Sequence, residues 1–244
     1  MVLVAGALDA KDKKKAPVAP PPPPPPPQIW VAWKPVVPNR ASTTLVFRPI
    51  GPDGLRLSVN RKISPAQTLW NLRSGYNVAA LICQDPEHAQ ILVNYKAFLK
   101  AHVKTLRATN TKVDSEWRAK YGAGYVKQRE KFMTEVYNHF AEPPVKKAFC
   151  DAALAMSKDA LPVKSVNLTN FAATALPSLE IVFDDFYRRY DQWKSDMAAW
   201  EARWGKDAVQ GTLVLATPQN SAAAVPATAA PIAPAATLPA SGGS

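Results

Sequence analysis

Between Leu179 and Trp204, eight large apolar residues recur at alternating intervals of four and three: Leu179, Phe183, Phe186, Tyr190, Trp193, Met197, Trp200 and Trp204. A helix turns once every 3.6 residues, so this spacing places all eight in one stripe along one side of a helix. Left in water, the stripe would expose a row of aromatic rings, so other elements have to cover it. A chain with this stripe is committed to helix packing. Gly205 follows the last stripe residue, where a terminating glycine belongs.

The covering helices are sought upstream. Ser64-Pro65 is an N-cap followed by proline at the first helical position, and predicts a helix to about Cys83. Asp85-Pro86-Glu87 repeats that signal and opens a longer helix over 86–121. Its stripe is Leu92, Tyr95, Leu99, His102 and Leu106, continued by Val113, Trp117 and Tyr121, with a soft spot at Thr109-Asn110-Thr111. Gly122 and Gly124 break it. A third helix is predicted over 125–141, a fourth over 144–159 after Pro143-Pro144, and a short fifth over 167–175. The striped last helix is expected to pack antiparallel on the 86–121 helix.

Ahead of the helices, Leu55, Leu57 and Val59 alternate with Arg56, Ser58 and Asn60, the period of a half-buried strand. With Gly51-Pro52-Asp53-Gly54 as the turn, residues 44–63 read as a small β-hairpin, and Pro49 assigns its first strand to an edge. The fold class is therefore mainly α: a helical bundle with long antiparallel helices, preceded by a small β-hairpin. The divisions are a leader-like segment and polyproline linker (1–27), an extended segment with the hairpin (28–63), the bundle (64–205) and a disordered Ala/Pro-rich tail (206–244).

Pro20 to Pro27 are unbroken proline. Such a run adopts polyproline II, a stiff spacer of about 25 Å at roughly 3.1 Å per residue. It is also the form an SH3-like groove reads, and Lys13-Lys14-Lys15 flank it. The opening "MVLVAGALDA" matches the back half of a signal peptide, with small residues at Ala5-Gly6-Ala7. The expectation is an export leader whose start lies upstream; the alternative is a cytosolic N-terminus. No apolar run is long enough to predict a membrane-spanning helix.

The net charge is +11, and its placement is uneven: residues 28–84 hold seven bases against Asp53 alone. A solvated surface explains such an excess, and so does an anionic partner such as lipid headgroups or cell-wall polymer. No nucleic-acid motif accompanies it, so nucleic acid is the less favoured partner.

Cys83 and Cys150 are the only cysteines. Either they form a disulfide, as in an oxidising compartment, or they are two buried thiols; the leader-like start favours the disulfide. Neither has the CxxC or histidine neighbour of a redox or nucleophilic cysteine. His88, His102 and His139 lack metal-site spacing, so no metal or other cofactor is predicted, and His102 reads as a core histidine. Glu180, Asp184 and Asp185 read as a solvated face of the last helix, with Asp184–Arg188 and Asp185–Arg189 pairs.

Trp70, Arg73 and Asn77 share one side of the first helix. They read as a buried polar network or, with Tyr137 and His139, as the lining of a ligand pocket; the same cluster is the site an enzyme would use. No catalytic motif supports that last reading. Trp30 and Trp33 read as seating the chain on the bundle or as marking a partner site.

The stretches "WNLRSGYNVAALIC", "ILVNYKAFLKAHVKTL", "FMTEVYNHF" and "PPVKKAFCDAAL", with the aromatic last helix, carry a resemblance over roughly residues 64–205. The chain resembles a group of uncharacterised secreted helical proteins of Gram-negative bacteria, in which two cysteines stand at the same two places. The resemblance implies a periplasmic or secreted protein and brings no activity with it. The expected role is binding or structural, with a cell-envelope protein or an anionic polymer as partner. The alternative is a cytosolic basic protein that binds nucleic acid.

Overall fold

The computed structural model describes residues 22–217. The leader-like segment and the tail from residue 218 onward lie outside the described residues. Within them, Trp33–Lys206 form one compact unit and the flanks form a second. In the second unit β1 (Gln28–Trp30) pairs antiparallel with β2 (Leu213–Leu215), with Ile29 opposite Val214. Strand β2 lies in what the sequence reads as tail. Its three residues, Leu-Val-Leu, gain order by pairing rather than by burial, a partnership too distant in sequence to be seen locally.

The main unit is a bundle of α1 (Pro65–Ile82), α2 (Gln90–Tyr121), α3 (Tyr125–Phe140), α4 (Lys146–Ala160) and α5 (Leu168–Trp204). The predicted boundaries hold where a local chemical signal sets them. The Ser64 hydroxyl accepts the Gln67 N–H at 3.1 Å and caps α1. Gly122 ends α2 at a φ of 58°, which costs a glycine little. Asp85 behaves differently: its side chain caps nothing, Pro86–His88 form a single 3-10 turn, and α2 starts at Gln90.

Helix α1 is the hub, in contact with all four other helices. Leu69, Leu72, Tyr76 and Ala79 on it are almost completely buried. Small residues let the neighbours come close. A Cβ placed on Gly75 would stand 2.9–3.0 Å from the Phe140 ring of α3. Around this contact Phe140, Phe149 and Phe183 pack ring on ring, bringing α3, α4 and α5 together. Helix α5 thus lies on α1 and α4, not along α2 as its stripe suggests.

Two further expectations change. The short helix over 167–175 and the striped helix are one helix, α5, running through Pro177. A mid-helix proline costs about 3 kcal/mol. Leu168, Leu176 and Leu179 are buried on both sides of it, each contributing about 2 kcal/mol, so continuity wins. The Ser178 hydroxyl also donates to the Thr174 carbonyl at 3.0 Å, close to the missing ladder bond. The soft spot of α2 falls at His102 (φ −114°, ψ 16°) rather than at Thr109-Asn110-Thr111. There the buried imidazole packs on Phe98, with its Nδ1 2.8 Å from the Ser165 hydroxyl. His102 is a satisfied core histidine, and burial lowers its pKa.

The hairpin is small. Ile50 and Arg56 form its single bridge, and the Gly51 and Leu57 N–H groups donate to the Leu55 and Pro49 carbonyls. The chain around it is extended and covers the middle of the α5 stripe. Phe47 packs on Phe186, Tyr187 and Tyr190. The Tyr190 hydroxyl donates to the Ser42 carbonyl and accepts the Leu45 N–H, and the Trp193 indole donates to the Pro35 carbonyl. A heptad stripe here meets extended chain, not a second helix.

Cys83, just past α1, and Cys150, inside α4, are bonded, with Cα atoms 5.6 Å apart. Both are buried. The bond closes a separation of 67 residues, so reduction should lower unfolding stability by about 4 kcal/mol, read from urea curves with and without reductant. Gly75→Ala should destabilise by about 1–3 kcal/mol despite alanine's better helix propensity, because the Phe140 ring has to move; thermal unfolding checks it.

Candidate functional site

The most elaborate polar arrangement in the bundle ends on Glu180. One turn apart on α1, Gln67 and Asn71 project from the same side, and both are buried. The Trp117 indole of α2 donates to Gln67 Oε1 at 2.8 Å, Gln67 Nε2 to Asn71 Oδ1 at 2.7 Å, and Asn71 Nδ2 to Asn60 Oδ1 at 2.8 Å. Asn60 Nδ2 donates to Glu180 Oε1 at 2.7 Å. His139 Nε2 meets the same oxygen at 2.8 Å, and the Ser58 hydroxyl donates to Oε2 at 2.5 Å. Ser58 and Asn60 come from the loop between the hairpin and α1, His139 from the end of α3, and Glu180 from α5.

Glu180 is only 7% exposed. Burial by itself raises the pKa of its carboxyl. The hydrogen bond and charge of His139, then the bonds from Ser58 and Asn60, outweigh burial and hold it below its ordinary value. At neighbouring acids such help is outweighed by burial. Glu142 is raised by burial, against the opposing charge of His139. Asp184 is raised by burial and by Glu180, although Arg61 opposes both. The Tyr187 phenol is raised by burial and by the surrounding carboxylates.

Next to Glu180, its partners Ser58 and His139 line a cleft of about 250 Å³ together with Arg48, Arg56, Glu135, Glu142 and Tyr187, among others. Charged side chains share its lining with Val46, Phe47, Leu57 and Val59, and it is smaller than most sites for drug-sized ligands. Arg48 pairs with Glu135 and Arg56 with Asp191. Serine, histidine and glutamate meet here, yet not in the order nucleophilic catalysis uses. In a triad the serine hydroxyl bonds the imidazole, which relays its proton. Here serine and histidine both bind the carboxylate, and a carboxylate with a lowered pKa is a weak base. The arrangement is built to hold a loop against two helices.

Of the residues singled out from sequence, Trp70 and Arg73 line one groove and His139 lines another cleft. Trp70 and Arg73 stand together, with the guanidinium 5.3 Å from the indole centroid, beside a shallow groove along α2. Asn77 is half-buried on α1, and Tyr137 packs against the core from α3. His139 bonds Glu180 and lines the cleft beside it. The buried network foreseen around Arg73 and Asn77 exists, but on Gln67 and Asn71, a different side of the same helix. Trp33, at the start of the main unit, is exposed rather than seated on the bundle, and Trp30 of the two-stranded unit is exposed. His88 is buried against Asp151, 2.8 Å from its carboxylate. Among the described residues no three histidine, cysteine, aspartate or glutamate side chains are grouped to hold a metal ion.

Glu180 corrects its reading as a solvated face, as does Asp184, which pairs with Arg61; Asp185 takes both Arg188 and Arg189. A signal for Glu180 was present. It lies one residue after Leu179 and seven before Tyr187, on the flank of the stripe that a covering segment would bury. Ser58 and Asn60 carried none, because polar residues alternating in a strand read as its wet face.

Glu180→Gln should cost about 3 kcal/mol at neutral pH, since it removes the charge facing His139. The sign with pH follows from the lowered pKa. The contribution of Glu180 is complete above its ordinary value of 4.5 and is lost as pH falls through its own, lower value. The stability gap between wild type and Glu180→Gln should therefore shrink in acid, measured by denaturant unfolding from pH 7 to pH 3.

Comparison with known proteins finds no family model, no curated protein and no solved structure that matches this chain.

Proposed function

We propose that this is an exported helical protein of the bacterial cell envelope that acts by binding or as a structural module. The observation that carries the reading is the bonded pair Cys83–Cys150, buried at the junction of α1 and α4. Disulfides persist in oxidising compartments and are rare where thiols are kept reduced. The leader-like opening of the sequence and the resemblance over residues 64–205 support the same compartment. The polar groups around Glu180 support a structural role, because they are engaged in holding the bundle together. No helix among the described residues is long and apolar enough to cross a membrane.

The test is a thiol count with intact mass on protein recovered from fractionated host cells. The expected result is a periplasmic or secreted chain lacking residues 1–7, with no free thiol and a mass lower by two hydrogens than the reduced form. Two free thiols on a chain that keeps its first residues would overturn export.

A further inference from the structure

The first three-quarters of α2 carries charge of one sign. From Gln90 to Val113 the helix holds Lys96, Lys100, Lys104, Arg107 and Lys112 and no acid. The next acids, Asp114 and Glu116, are engaged by Arg129 and by the Ser64 hydroxyl. Lys96, Lys100, Lys104 and Arg107 follow at intervals of four, four and three, so they share the outward side of the helix. All four are exposed, and none forms an ion pair among the described residues. They span about 16 Å at 1.5 Å per residue. Successive charges lie within a Debye length of roughly 8–10 Å, so they act together on an anionic surface.

Aliphatic side chains lie among these charges. Leu92, Val93 and Val103 are 39%, 58% and 54% exposed on the same side. Beside Val103 runs the groove of about 370 Å³ whose lining includes Trp70, Leu99 and Leu106, with Arg73 and Arg107 at its edges. Lysines alone would suit any polyanion. Exposed valines and leucine between them contribute nothing against a phosphodiester backbone. They do fit a surface with phosphate outermost and hydrocarbon just beneath it.

We infer that the outward side of α2 docks the protein on a membrane surface carrying acidic lipid headgroups. Lys96, Lys100, Lys104, Arg107 and Arg73 meet the headgroup phosphates. Leu92, Val93, Val103 and the groove beside Trp70 take up the apolar boundary below. The inference does not depend on the compartment, because it needs only an anionic leaflet.

The experiment is co-sedimentation of the full chain with vesicles of phosphatidylcholine alone, or with about one-third phosphatidylglycerol, near 0.1 M salt, where surface charges still act. Binding is expected to the acidic vesicles and not to the neutral ones. Each basic residue near such a surface is worth about fivefold. The variant K96E/K100E/K104E should therefore bind more than about 100-fold more weakly, and K96Q/K100Q/K104Q should fall between it and wild type. A control with equal charge change elsewhere, K127E/K131E/K146E, should keep most of the affinity. V93S/V103S should lose the part of the binding that survives at about 0.5 M salt.

These lysines are exposed and unpaired, so circular dichroism should show every variant folded. Absence of vesicle binding would overturn the inference. So would equal losses in the α2 variant and the control, which would reduce the attraction to net charge. A DNA duplex bound as tightly as the acidic vesicles and unaffected by V93S/V103S would replace lipid with nucleic acid.

Discussion

A carboxylate removed from water costs several kcal/mol unless donors surround it, and Glu180 is such a carboxylate. Its donors come from elements far apart in sequence: Ser58 and Asn60 from the loop before α1, and His139 from α3. None of these segments can leave without stranding a buried charge. One local electrostatic demand thereby fixes the relation of loop, α3 and α5. Through Asn71 and Gln67 it extends to α1, and through Trp117 to α2. The hairpin loop, which has a single bridge of its own, is held by this demand, by the Arg48–Glu135, Arg56–Asp191 and Arg61–Asp184 pairs and by Phe47 on α5.

The hub helix is secured differently at its two ends. At the N-terminus the Ser64 hydroxyl caps α1 and also donates to Glu116 of α2. At the C-terminus Cys83 ties the chain covalently to α4. Between them Gly75 admits the Phe140 ring, so small size rather than added bulk brings α1 and α3 together. A helix held at both ends and indented in the middle has little freedom to slide. That makes a rigid platform, and α2, packed along it, presents its outward side from a fixed position.

Much of this was legible in the sequence because it rests on local chemistry. Ser64-Pro65, Gly122 and Gly205 mark helix ends by what their own backbone and side chains do, and those boundaries hold. The apolar stripe correctly announced α5. It did not say what covers it, because a period gives a direction and not a partner. Leu179 and Phe183 went into the helical core, where Phe183 meets rings of α3 and α4, and Phe186 to Trp193 met extended chain. The short helix over 167–175 was read as separate from the striped one because the burial of Leu168, Leu176 and Leu179 on both sides of Pro177, which joins them, is not visible locally. Glu180 failed for the same reason. A charged residue beside Asp184 and Asp185 reads as wet, and only the arrival of Ser58 and Asn60 more than a hundred residues away makes it dry. Arg73 and Asn77 shared a helix side, as inferred, but the loop came down on the neighbouring side.

The ladder from Trp117 to Glu180 also has a polarity. An indole N–H only donates and an ionised carboxylate only accepts, so the amides between them are not free to choose. Gln67, Asn71 and Asn60 each turn the carbonyl toward Trp117 and the NH2 toward Glu180. Turning any one over would set oxygen against oxygen at one joint and nitrogen against nitrogen at the next. Of all the arrangements three amides permit, one alone satisfies every joint. The row therefore works as a proofreading device. An apolar seam tolerates a small rotation of a helix, since one methyl packs much like another. Here a rotated α1 would break a sequence of donors and acceptors that admits no synonym, so the near misses of a helical bundle are rejected by hydrogen bonds rather than by shape.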